Sequence, residues 1–504
     1  MLPAKVPITD PRYGGPILFN PGGPGVSAIM VLLSEGRTFL SQFDTPEDPS
    51  STKGDDDARY YDVVAFDPRG INHTLPVANC FETDLQRAEW NLRTAAAGIP
   101  GSSNVSVAES WGRQRAYSLA CYNFTQSSGA NNIMPFITTA STARDMVTFI
   151  DRFGEWRKAE AQRMLMGRTP SHLRYQEGIE RINYYGLSYG SFLGMTFASM
   201  FPERTGRFVL DGIVDTDDYI HALWTVSVLD SSKTMDVFYS MCAEAGPKTC
   251  ALARNGSSAE DVRVRLQNIL DRAYEHPIAS TGQIPDYWTW SDVRTLLITS
   301  LYQPLMWQQF ASTMAALDGA SSSPLVATTA DTYYPVPGKL PPVFQNIDAE
   351  TGTSCGDAFP FDGDFTLQDA QAHWEHLYEL GPIMAADFVA LNYTCAAWPG
   401  RPKYAYRGPF GSSANSSVPP MLFIGNTADP ITPIYAARKM VARFSGARLL
   451  TNDMPGHSSE AVPNACTMAH GRAYMQTGTL PPEGFVCPMN GTLFPDPESD
   501  GGGD

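Results

Sequence analysis

A serine flanked by glycines, Gly186-Leu187-Ser188-Tyr189-Gly190, is the stretch of this chain best suited to chemistry. It follows an apolar, aromatic run, Ile182-Asn183-Tyr184-Tyr185, and precedes a helix-like stretch from Ser191 to Met200 closed by Phe201-Pro202. Strand, G-x-S-x-G turn and helix in that order make a nucleophile elbow. So tight a turn forces the serine into strained backbone, with its hydroxyl exposed at the C-terminal edge of a sheet. Glycines on both sides have no Cβ and relieve the crowding between strand and helix. The Tyr189 N–H then points to where an oxyanion would form.

A serine nucleophile needs a base, and the base needs an acid to orient it. On this kind of scaffold the chain order is Ser, then Asp or Glu, then His. Asp429 lies just past the strand-like Met421–Ile424, and His457 just past the strand-like Arg448–Thr451. His457 would take the Ser188 proton and return it to the leaving group, while Asp429 would hold the imidazole tautomer and stabilise the imidazolium. A second oxyanion donor is expected from Asn20-Pro21-Gly22-Gly23-Pro24-Gly25, with the Gly23 N–H preferred; this loop follows a short buried strand at Pro16–Phe19. Competitors are few. His470 falls in the middle of a helix beside Cys466, and Asp357, Asp362 and Asp364 follow no strand. His373 and His376 share a helical face, but no third ligand accompanies them, so a solvated face is expected and no metal.

The remaining elements must position these groups. Tyr61–Phe66 reads as a buried strand running into Asp67-Pro68-Arg69-Gly70, where Asp67 and Arg69 are expected to form a structural ion pair. Residues 82–132 are polar and read as a surface excursion. Thr142–Phe153 is an amphipathic helix, and Phe208–Leu210 the strand after the elbow. From about 220 to 318 the pattern turns helical: Val262–Ala273, Val293–Leu301 with Ser291 as N-cap, and Trp307–Leu317. Gly319–Pro342 reads as loop, and Thr366–Asp369 as a capping box opening a helix through Tyr378. Ile434–Phe444 is a helix, a disulfide-tied helix follows Val462, and Glu498–Asp504 is a flexible tail. The expected fold class is an α/β-hydrolase, a mostly parallel sheet flanked by helices. Its core falls in residues 1–219 and 396–504, with a mainly helical cap inserted at 220–395.

With 504 residues, 43% hydrophobic and 18% charged, the chain can build a large core. A net charge of −17 argues against nucleic acid or an anionic membrane as partner, and no apolar run is long enough to span a bilayer. Eight cysteines and seven N-x-S/T sequons (Asn72, Asn104, Asn123, Asn255, Asn392, Asn415, Asn490) favour an oxidising, secretory environment. Proximity along the chain pairs Cys80 with Cys121, Cys242 with Cys250, Cys355 with Cys395, and Cys466 with Cys487.

Asn20–Gly25, Asp67–Gly70, Gly186–Gly190, Leu210-Asp211-Gly212, Asp429-Pro-Ile-Thr-Pro433 and Gly456-His457-Ser458 together resemble the tripeptidyl-aminopeptidase-like serine hydrolases. The resemblance covers essentially the whole chain, with that family's C-terminal region at about Cys395–Cys487. Asn20 replaces the histidine of the prolyl-aminopeptidase branch, and Val26 and Ala28 stand where glycines are usual. The resemblance implies a secreted, cofactor-free serine exopeptidase that hydrolyses short peptides from a free N-terminus through an acyl-enzyme on Ser188. A carboxylate from the cap would hold the substrate's ammonium group, since a buried cation requires a paired charge. An esterase on the same three residues is the alternative, followed by an inactive fold used for binding. Two strands usually precede the oxyanion loop of this fold, and Met1-Leu-Pro-Ala-Lys-Val-Pro has no apolar signal segment. The expectation is therefore a chain that continues upstream with a strand pair and a secretory address.

Overall fold

A computed structural model describes residues 1–496 except 56, 168–169, 171–172, 281–285, 320–344 and 362. The expected loop at Gly319–Pro342, apart from Gly319, and the expected tail at Glu498–Asp504 lie outside the described residues, as does Asp362.

Seven parallel strands form one sheet: β1 (Tyr13–Asn20), β2 (Tyr60–Val64), β3 (Ile182–Leu187), β4 (Thr205–Asp211), β7 (Leu422–Ala428), β8 (Arg448–Pro455) and β9 (Val486–Cys487), in spatial order β2-β1-β3-β4-β7-β8-β9. This is the α/β-hydrolase arrangement. The strands read as unbroken apolar runs because helices cover both faces. Ile17, Phe19, Tyr185, Val209, Leu422 and Ile424 point to one face, into a cluster completed by Phe39 and Phe43 of α1 (Ala28–Phe43) and by Tyr474 and Met475 near the C-terminus. Leu18, Tyr184, Phe208, Leu210 and Phe423 point to the other and join the larger core. Val63 of the edge strand β2 exchanges both backbone hydrogen bonds with Leu2, an antiparallel bridge along that edge.

The polar excursion at 82–132 proves to be two helices, α2 (Asp84–Ala97) and α3 (Ser106–Ser127). Thr83 and Gln86 form a capping box at the start of α2. The buried face of α3 is Ser106, Ser110, Ser118 and Thr125 as much as Val107, Trp111 and Tyr117, so its hydrophobic period is faint. Next, α4 (Thr139–Met164) runs well beyond the expected Thr142–Phe153, and α5 (Tyr189–Met200) follows the elbow. Asp67 and Arg69 do not pair with each other. Asp67 accepts from Ser27 Oγ and the Ile29 N–H and meets His73 Nδ1 at 2.7 Å, whereas Arg69 forms a two-pronged pair with Asp145 of α4. Each side chain finds a partner from another element across the loop.

Between β4 and β7 the cap is built from α6 (Thr216–Ile220), α7 (Ser231–Ala245), α8 (Ala259–Glu275), α9 (Trp290–Tyr302), α10 (Trp307–Asp318), α11 (Ile347–Asp357), α12 (Leu367–Leu380) and α13 (Ala385–Ala396). A short antiparallel pair, β5 (Ile278–Ala279) with β6 (Tyr287–Trp288), interrupts the helices. The N-cap of α9 is Thr289, in a capping box with Asp292, rather than Ser291; Ser291 Oγ instead accepts the Ile99 N–H. The core resumes with α14 (Ile434–Val441), and α15 (Ala465–Thr477) closes the fold beside β9. All four expected disulfides are formed. Cys80–Cys121 holds α3, Cys242–Cys250 closes the end of α7, Cys355–Cys395 ties α11 to α13, and Cys466–Cys487 ties α15 to β9. No described helix is long and apolar enough to cross a membrane.

The interior is rich in carboxylates. Burial pushes Asp211, Glu350 and Asp357 up to about 7, and Asp218 up to about 6. Each binds a proton in the folded state that the unfolded chain has released by pH 5–6. Their ionisation therefore removes stability as pH rises from about 4 through 7. Asp217, held near 2 by Arg443, and His373, pushed to about 4 by burial, act in the opposite sense but are fewer. Thermal denaturation is therefore expected at a higher temperature at pH 5 than at pH 8. A midpoint that climbs over that interval would show these acids to be ionised in the folded protein.

Candidate active site

At the end of β3 the chain turns so sharply that Ser188 holds φ 55° and ψ −122°. Few non-glycine residues occupy this region, and it costs about 1–3 kcal/mol. The glycines around it are compulsory. A Cβ on Gly186 would sit 2.4 Å from the Gly190 carbonyl oxygen, and one on Gly190 would sit 2.5 Å from the Asn20 carbonyl oxygen. Ser188 itself is half-buried, and its Oγ makes no hydrogen bond to another described residue.

The Asn20–Gly25 loop lies directly against the elbow. A Cβ on Gly22, at φ +101°, would meet Ser188 Cβ at 2.8 Å, the Leu187 carbonyl oxygen at 2.7 Å and the Tyr189 nitrogen at 3.2 Å. The Gly22 N–H donates to Asn20 Oδ1 at 3.0 Å and so is already occupied. Among the described residues, the Gly23 and Tyr189 N–H groups have no such acceptor. Asn20 thus occupies Gly22 and leaves its neighbour open. The far side of the loop is fixed to the entry of α11: the Asn346 N–H donates to the Gly25 carbonyl at 2.9 Å, Val26 bridges Gln345, and a Cβ on Gly25 would crowd Glu350.

Asp429 and His457, 28 residues apart, are brought together past the ends of β7 and β8. His457 Nδ1 lies 3.1 Å from Asp429 Oδ1 and 3.2 Å from Oδ2. The fully buried carboxylate also accepts the N–H groups of Ile431 (3.0 Å), Thr432 (2.8 Å) and Ser458 (2.8 Å) and the Thr432 hydroxyl (2.7 Å). Burial alone would raise the Asp429 pKa. The His457 ring, with these backbone donors, outweighs it and holds the carboxyl below its ordinary value. Burial likewise opposes the His457 cation, yet the Asp429 charge and hydrogen bond, helped by Asp211, carry the imidazole above its ordinary pKa. The two shifts agree in sense, as expected for one ion pair. Gly212 packs between the parts: a Cβ there would lie 3.5 Å from His457 Cε1, and the preceding Asp211 carbonyl accepts the Ser188 N–H at 2.8 Å.

Three groups beside this cluster carry no local signal in the sequence. The Tyr302 ring packs edge-on against His457, centroids 5.4 Å apart, and its carbonyl accepts the His457 N–H. The Asp387 charge adds to the burial that raises the Glu350 pKa, and both carboxylates raise that of the Tyr302 hydroxyl. The Asp387 side chain is exposed, although the surrounding protein pushes its pKa up to about 6. Of the competitors, Asp357 is occupied by the Thr139 N–H and hydroxyl, and Asp364 is exposed. His470 packs on Phe485 beside the Cys466–Cys487 bridge. Of the histidine pair, His376 is exposed as expected, whereas His373 is half-buried and burial, with a smaller effect from His376, lowers its pKa to about 4.

Comparison with known proteins yields a family model, described as TAP-like protein, that matches residues 381–487. Its match starts about fourteen residues before the expected Cys395. The chain is 23% identical to a tripeptidyl aminopeptidase of Streptomyces lividans over 490 residues, which is 95% of this chain and 78% of that protein. It is 26% identical to the serine protease Hip1 of Mycobacterium tuberculosis over 498 residues, covering 96% and 82% respectively. A carboxylesterase B of the same organism matches at 26% over 495 residues, covering 96% and 81%. Parallel sheet, glycine-bound serine turn and C-terminal match converge: the chain is a TAP-like α/β-hydrolase, an enzyme of the serine-peptidase kind.

Proposed function

We propose that this enzyme is a secreted aminopeptidase that removes short peptides from a free N-terminus, with Ser188, His457 and Asp429 as its catalytic residues. His457 Nε2 accepts the Ser188 proton as Oγ attacks the scissile carbonyl, and the Tyr189 and Gly23 N–H groups hold the oxyanion. The imidazolium then gives its proton to the leaving amine, and water repeats the sequence on the acyl-enzyme. Asp429 already accepts from the Nδ1 side, so the lone pair of the neutral ring is left on Nε2. No cofactor enters this sequence.

The observation that carries the exopeptidase reading is the acid pair Glu350–Asp387. Glu350 lies against the oxyanion loop, its Cβ 3.1 Å from where a Cβ on Gly25 would sit, the Asp387 charge reaches both Glu350 and Tyr302, and the cation acting on Asp387, Arg294, donates to the Pro382 and Ile383 carbonyls. Neighbouring charges of one sign are costly unless a cation arrives. A peptide's α-ammonium is such a cation, and it would pull both acids down from their raised pKa values into the ionised form. The esterase reading is favoured by the carboxylesterase-named relative, which aligns over as much of the chain as the peptidases do.

Four disulfides fit an extracellular setting. Asn104, Asn123, Asn255, Asn415 and Asn490 are exposed and open to glycans, whereas Asn392 is 1% exposed and donates its amide to the Ala222 carbonyl.

Ser188→Ala is expected to abolish hydrolysis and fluorophosphonate labelling without altering the thermal midpoint. Asp429→Asn should slow turnover by up to about 10⁴-fold through the wrong imidazole tautomer; wild-type rates in either variant would remove the assignment. Gly22→Ala should cut kcat/KM by at least about 100-fold, since the added methyl meets main chain and cannot be accommodated by a rotamer change. N-acetylating a peptide substrate should abolish its cleavage, and Glu350→Gln with Asp387→Asn should raise KM for free-amine peptides while sparing a simple aryl ester. Equal turnover of acetylated and free peptides would instead favour the esterase.

A further inference from the structure

Asp211, the last residue of β4, has no part in the mechanism above, yet it touches both halves of the site. Its carbonyl accepts the Ser188 N–H at 2.8 Å. Its fully buried carboxylate accepts the Ser459 N–H at 3.0 Å and the Ser459 hydroxyl at 2.5 Å, two residues beyond His457 on the same loop. The next residue, Glu460, turns back beneath it. Glu460 Oε1 accepts from Gln42 of α1 at 2.7 Å and from the Tyr185 hydroxyl of β3 at 2.5 Å, and Tyr185 also reaches Asp211.

The surroundings of this pair are all of one sign. Asp211 faces Glu460 from the His457 loop and Asp429 from the end of β7; Glu460 faces Asp211 and, from α1, Glu35. Tyr185 and Ser459 supply hydrogen bonds but no charge. Among the described residues no Lys or Arg forms an ion pair with either acid; the one cation acting on Asp211 is the protonated form of His457 itself. Two carboxylates this close, in a desolvated site without a counter-ion, do not both ionise near neutral pH.

Resting on the assignment of His457 as base, we propose that Asp211 is a positioning residue that joins the nucleophile's backbone to the histidine loop and, with Glu460, holds a shared proton that governs how readily His457 is protonated. When the proton is present, His457 feels Asp429 alone and stays neutral, hence active, to lower pH. When it leaves, the Asp211 charge strengthens the imidazolium. Burial and Glu460 raise Asp211 to about 7, so the change falls where the base itself titrates. Glu460 acts on Asp211, whereas the carboxylates that act on His457 are Asp429 and Asp211. The two acids therefore have opposite effects on the base.

The pH dependence of fluorophosphonate labelling and of kcat/KM on a short free-amine peptide tests this. Asp211→Asn keeps an acceptor for the Ser459 N–H but abolishes the charge, and should move the acid limb of both profiles down by about half a pH unit or more. Glu460→Gln lowers the proton affinity of Asp211, keeps Asp211 ionised to lower pH, and should move the same limb up. A purely structural role predicts lower rates with unmoved limbs. Unmoved limbs, or shifts of the same sign in the two variants, overturn the proposal. If Asp211→Asn does not fold, Glu460→Gln decides alone: an upward shift upholds the proposal, and a limb unmoved or shifted down rejects it. A wild-type protein that takes no label removes the base assignment together with this inference, whereas labelling with unmoved limbs removes this inference only.

Discussion

Close backbone approach at Ser188 is the constraint from which the rest follows. Strand β3, helix α5 and the Asn20–Gly25 loop meet within contact distances that leave no room for a Cβ at Gly22, Gly186 or Gly190. The strained serine is held from several sides: the Asp211 carbonyl takes its N–H, the Ser191 hydroxyl donates to its carbonyl, and the Tyr184 hydroxyl donates to the Gly190 carbonyl. A conformation costing about 1–3 kcal/mol persists only when its surroundings over-determine it. Here the surroundings are parallel strands in register, with β3 between β1 and β4. The sheet is the jig for one turn.

Charge is arranged as economically as backbone. Asp429 is ionised although fully buried because three N–H groups, a hydroxyl and the imidazole meet its two oxygens. Asp211 and Glu350 lack such a set, and burial raises both to about 7. One carboxylate is thus committed to the histidine, while Glu350 and Asp387 stay responsive to what enters. The same chemical group serves different ends according to how many donors the fold supplies.

How much of this was legible depended on the range over which each feature is written. The elbow was readable because sterics demand glycine at fixed offsets from Ser188. The meeting of Asp429 with His457 was readable because each follows a strand directly, and the four bridges join cysteines that are neighbours in chain order. Helix α3 was not, because serine and threonine fill much of its buried face. Helix α2 was missed despite a usable signal, the Thr83–Gln86 box. Glu350 and Asp387 meet only across the cap, with nothing local to mark either. Asp67 and Arg69 were expected to satisfy each other, and each is satisfied instead by a residue brought in by folding, Ser27 and Asp145.

The loop carrying Gly22 and Gly23 is not a free rim. Through Gly25, Val26, Gln345 and Asn346 it is spliced to the first turn of α11, the helix that also bears Glu350. On the proposed function, the element that would gauge the incoming chain and the element that would receive its negative oxygen therefore form one mechanical piece. A substrate seated badly against α11 would displace the donors as well as its own anchor. Discrimination in such a device is kinetic: misfit molecules can lodge in the cleft yet fail to turn over.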